Sequence, residues 1–98
     1  MITTTAAIEI AELLATADDA AIDAITDGDL ALAHFQLSFE LTMARQIVDA
    51  YDSATPEVAA NGDPARYAKA CEVIGDTPVL INNLGGELFN RGAGTVGW

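Results

Sequence analysis

His34 and Cys71 are the chain's single histidine and single cysteine, so a thiol–imidazole pair has only one possible composition. A cysteine attacks well only where a base, a group that orients the base and donors for the developing oxyanion converge on it. Cys71 shares a helical face with Tyr67 and Ile74, which predicts a buried thiol acting as a small hydrophobe. His34 falls on a polar stripe, which predicts an exposed imidazole. Neither residue has neighbours in sequence that would complete a catalytic centre. With one Cys, an intrachain disulfide and a multi-cysteine metal site are both excluded.

Carboxylates are the commoner reactive groups, with 15 Asp and Glu in 98 residues. Glu9-x-x-Glu12 puts two on one helix face, but the Glu-x-x-His of carboxylate-bridged metal bundles is absent. Asp27-Gly28-Asp29 lacks the further oxygens and the sixth-position glycine of a calcium loop. Gly85-Gly86 is followed by no Lys-Ser or Lys-Thr and belongs to no G-x-G-x-x-G, so it is not a phosphate loop. A helix C-cap explains it, and a leader–core junction in a modified peptide precursor is the rarer use of such a pair. The expectation is a protein that is not an enzyme and holds no cofactor and no metal.

Charge narrows the partners. The net charge is −11, and residues 1–44 contain eight acids with no Lys or Arg. Arg45, Arg66, Lys69 and Arg91 are the only bases. Nucleic-acid binding relies on cations that displace counterions from phosphates, so direct binding to nucleic acid is not expected. An anionic membrane surface is disfavoured for the same reason. No apolar run approaches the 18 or so residues of a membrane span, and the first residues carry no basic segment ahead of an apolar one. These features point to a soluble protein, intracellular or carried in a virion.

Such elements as the chain has must be helices. Ile10, Leu14, Ala17, Ala21 and Ile25 recur at helical spacing behind a capping Thr5, and Thr16-x-x-Asp19 marks a second start, predicting a joint near residue 17. Thr26-Asp27-Gly28-Asp29 ends that unit, with Gly28 past its end and Asp29 capping the next. Residues 35–43 alternate apolar and polar as a strand does. The longer stripe Leu30, Ala33, Leu37, Leu41, Ala44, Val48, Tyr51 is helical, and Ala44-Arg45-Gln46 contains no turn former, so a helix over about 30–53 is predicted. A second apolar edge, Leu32, Phe35, Phe39, Met43 and Ile47, predicts a wide buried arc. Thr55-Pro56, Asp63-Pro64 and Thr77-Pro78 each place proline at a first helical position. They predict three short helices, closed at Asn61-Gly62, Gly75 and Gly85-Gly86.

The predicted fold is all-α: a bundle of four or five helices over residues 1–91, with the 30–53 helix at its centre and an extended Gly-rich arm at 92–98. More than half the residues are hydrophobic, which is more than one core of this size can cover. Protein partners are therefore expected, in many copies of a homo- or hetero-oligomeric assembly. The residues expected to meet them are Phe35, Phe39 and Met43 on the long helix and Val96 and Trp98 on the arm. The expected function is that of a structural or adaptor protein, a virus particle or protein shell being the first expectation. Alternatives are an acidic inhibitor that mimics nucleic acid, and a precursor with a helical leader and a modified C-terminal segment.

Overall fold

The computed structural model describes residues 2–53 and 64–92, and within them every element is a helix: α1 (Thr4–Thr16), α2 (Asp19–Asp23), α3 (Asp27–Asp52) and α4 (Pro64–Asn90). The short helix expected at 55–61 and the arm beyond Gly92, with Val96 and Trp98, lie outside the described residues.

α4 starts at Pro64 as expected, and the caps of the other three helices are two or three residues from those expected. Thr3, not Thr5, caps α1, its Oγ1 accepting from the Ala6 amide at 3.1 Å. The joint falls at Ala17, and Asp18 caps α2. Thr26 caps α3 by accepting from the Asp29 amide, so Asp29 lies inside the first turn, where its charge favours the positive helix end. Gly28 is helical: among the described residues only Gly92 has positive φ, at 76°.

α4 departs furthest from expectation. It runs without a break through Gly75 and Pro78 for 27 residues, and Gly85-Gly86 sits within it rather than capping it. Tyr67, Ala70, Ile74, Thr77, Ile81, Leu84, Leu88 and Arg91 alternate steps of three and four, and every one of them is buried or half-buried. That seam packs antiparallel along the Leu30–Tyr51 stripe of α3, much as in a coiled coil. Proline in a helix interior removes one hydrogen bond and costs about 3 kcal/mol. A continuous seam that buries Ala70, Thr77, Leu84 and Leu88 outweighs it.

α1 lies in the groove between α3 and α4, near the end of α4. Its inward face is Ala7 and Ala11, both fully buried, while the expected Ile10 and Leu14 are half-buried at its edges. Alanines allow the close approach: Ala7 and Ala11 meet Ala33, Leu30, Leu37, Leu84 and Leu88 in one cluster. At about 1.5 Å per residue α1 is roughly 20 Å long and α3 roughly 39 Å, so α1 covers about half the groove.

Candidate functional site

The residues that could do chemistry are kept apart. His34 is half-buried over the backbone of Gly85, whose added Cβ would lie 3.7 Å from Nε2, so the imidazole is not the exposed group expected. Its burial lowers its pKa below the ordinary 6.5. Cys71 is exposed, against the expectation of a buried thiol, because the seam runs through Ala70 and Ile74 and turns Cys71 outward. It sits about 21 Å along α4 from Gly85, so Cys71 and His34 do not form a pair. Glu9 and Glu12 are both exposed, and no group of three His, Cys, Asp or Glu among the described residues could hold a metal. No described helix is long and apolar enough to cross a membrane.

Polar side chains instead tie the helices together. Arg91, half-buried at the end of α4, donates from Nη2 to the Ile22 carbonyl at 2.7 Å and from Nη1 to the Ile25 carbonyl at 2.6 Å. It also pairs with Asp27 at 3.0 Å and, through Nε, with Glu87 at 2.9 Å. The carbonyls belong to the end of α2 and the turn after it, where helix carbonyls lose their regular partners; that of Ile22 also accepts from the Ile25 amide at 3.1 Å. One guanidinium therefore fastens α2, the start of α3 and the end of α4. Hydrogen bonds to Glu87 and then Asp27 raise its pKa further.

A second tie marks where α1 begins. Thr4 Oγ1 donates to Glu40 Oε1 at 3.1 Å, and buried Gln36 donates from Nε2 to both Thr4 Oγ1 and Glu40 Oε1, each at 3.2 Å. Among the described residues Gln36 Oε1 is buried with no hydrogen-bond partner. At the opposite end of the hairpin from Arg91, Tyr67 stacks on Tyr51 with centroids 4.4 Å apart and donates to Asp52 at 3.2 Å. The Asp52 carboxylate, with Cys71 acting in the same direction, raises the Tyr67 pKa.

The outward face of α3 is the feature that packing leaves unexplained. Leu32, Phe35, Phe39 and Met43 step by three, four and four along one side, and all four are exposed, Phe35 at 57% and Phe39 at 51%. This corrects the expectation of a wide buried arc: α1 and α4 both sit on the Leu30–Tyr51 side, and only Ile47 of the second edge is half-buried. From Ala31 to Met43 the exposed residues of α3 carry no charge, Thr42 being the polar one, and Arg45 is the next exposed charge, in a protein of net charge −11. Three of the five expected partner-binding residues, Phe35, Phe39 and Met43, are thus brought to one surface.

Arg91 and the Thr4–Gln36–Glu40 tie were not read from the sequence. Arg91 had a signal, as the one base that completes an apolar three–four pattern. The tie had none, since it depends on where α1 lands on α3. The chain matches no protein-family model, no curated protein and no solved structure.

Proposed function

We propose that the chain is a non-enzymatic structural or adaptor protein that works inside a multi-chain assembly, docking through the outward face of α3. The observation that carries this reading is the uncharged apolar stripe Leu32–Phe35–Phe39–Met43, exposed on an otherwise strongly acidic molecule. Contiguous exposed apolar surface marks interaction sites, and aromatic side chains anchor them. Burying one such side chain fully contributes about 1.5–3 kcal/mol, and symmetry repeats that gain at every contact. A virus particle or protein shell made of many copies is the assembly we favour, with α3 as the central helix of each subunit. The arm at 92–98 would add Val96 and Trp98 as a second contact.

The test uses the tagged full chain expressed in its native host, with assembly size measured by size-exclusion and light scattering. Wild type is expected at high mass, and Phe35→Asp/Phe39→Asp at monomer mass with unchanged circular dichroism. Deleting residues 92–98 should weaken assembly without altering helical content. Assembly of the double variant at wild-type affinity would remove the α3 face from consideration.

A further inference from the structure

The groove that α1 occupies does not end where α1 ends. Among the described residues it continues past the Thr4–Glu40 tie as an open cleft of about 180 Å³, lined on α3 by Met43, Ala44 and Ile47 and on α4 by Ala70 and Val73, with Arg66 and Lys69 on the same wall. Ala44 and Ala70 are buried on its floor, as Ala33 is under α1. Small side chains there let another helix approach as closely as α1 does.

Charge marks the lining of the open half: Arg66 and Lys69, both exposed, stand on its α4 wall. Arg45 lies at the same end but outside the lining, as do the exposed acids Asp49, Asp52 and Glu72. Lys69 pairs only loosely with Glu72, at 3.6 Å between two exposed side chains, a contact of little strength that a new carboxylate can replace. Glu40, the one acid among the described lining residues, has its carboxylate already engaged by Thr4 and Gln36.

From this geometry we infer that the open half of the α3–α4 groove binds an acidic amphipathic helix of a partner protein, its small apolar residues on Ala44 and Ala70 and its carboxylates toward Arg66 and Lys69. α1 shows the pattern that such a groove accepts: Ala7 and Ala11 inward, Glu9 and Glu12 exposed outward, and no base. The site shares only Met43 with the outward face of α3 and stands whether or not that face docks.

The probe is a capped synthetic peptide of residues 2–17 of this chain, titrated into the isotope-labelled full-length protein and followed by backbone amide shifts. Saturable shifts are expected at Met43, Ala44, Ile47, Ala70 and Val73. Reversing both charges of the probe, Glu9→Lys with Glu12→Lys, should weaken binding about tenfold, as two exposed ion pairs lost and turned repulsive would do. Arg66→Glu/Lys69→Glu in the protein should weaken the original probe similarly, and Ala70→Glu should abolish its binding. The charge reversal at exposed positions guards against misfolding of the Ala70 variant. Phe35→Asp/Phe39→Asp should bind the probe as wild type does. Shifts confined to Leu84 and Leu88 would mean that the probe displaces α1, and equal binding of the lysine probe would remove the charge argument. Either result, or no saturable shift, overturns the proposal.

Discussion

Replacing Pro78 by Ala separates a continuous α4 from two helices joined at Gly75–Thr77. In a continuous helix Pro78 lacks the amide that would donate to the Ile74 carbonyl, and alanine is better there by about 3 kcal/mol. Pro78 is half-buried and sits off the seam, so about 1 kcal/mol is returned through lost ring contacts and a freer unfolded chain. The net gain is about 2 kcal/mol, which raises the melting temperature of a domain this size by roughly 8–16 °C. Gly75→Ala is the companion change: its Cβ would meet nothing within 4 Å and its φ is not positive, so a further gain of about 0.5–1 kcal/mol is expected. Thermal melts followed by far-ultraviolet circular dichroism, with urea titration as a check on reversibility, read both. If α4 were two helices, Pro78 would be a favourable first residue and Gly75 a left-handed cap, and both substitutions would leave stability unchanged or lower it. That outcome would refute the continuous seam.

Three further outcomes follow from named contacts. Arg91→Ala should cost about 2 kcal/mol in urea unfolding, since it strips charged donors from the Ile22 and Ile25 carbonyls, and Arg91→Lys should recover little because an ammonium cannot make the same fork. His34 has its pKa lowered in the folded chain, so the unfolded chain binds the proton more readily and stability falls as pH drops from about 7 through the ordinary value of 6.5. His34→Gln should flatten the pH dependence of unfolding in that window, and an unchanged slope would mean that another group causes it. Raising salt from about 0.05 to 0.5 M should strengthen or preserve assembly by screening repulsion between acidic copies, whereas a steep loss would favour a nucleic-acid mimic that binds a basic groove.

The helical class, the stripe Leu30–Tyr51 and the joint near residue 17 were legible in the sequence. Each depends on local periodicity or capping, which a few neighbouring residues specify. The acidity needed only composition. The fate of Gly75 and Pro78 was decided by tertiary structure: the three–four pattern from Tyr67 to Arg91 runs straight through them, and burial against α3 outweighs the local preference to stop. The same packing turned Cys71 outward, set His34 over Gly85 and left Phe35 and Phe39 exposed. Periodicity shows that a helix has two apolar edges, but which edge is covered depends on where the other helices lie. α1 and α4 both chose the side where Ala7, Ala11 and Ala33 permit close approach, and a contact of that kind has no signature in any one segment.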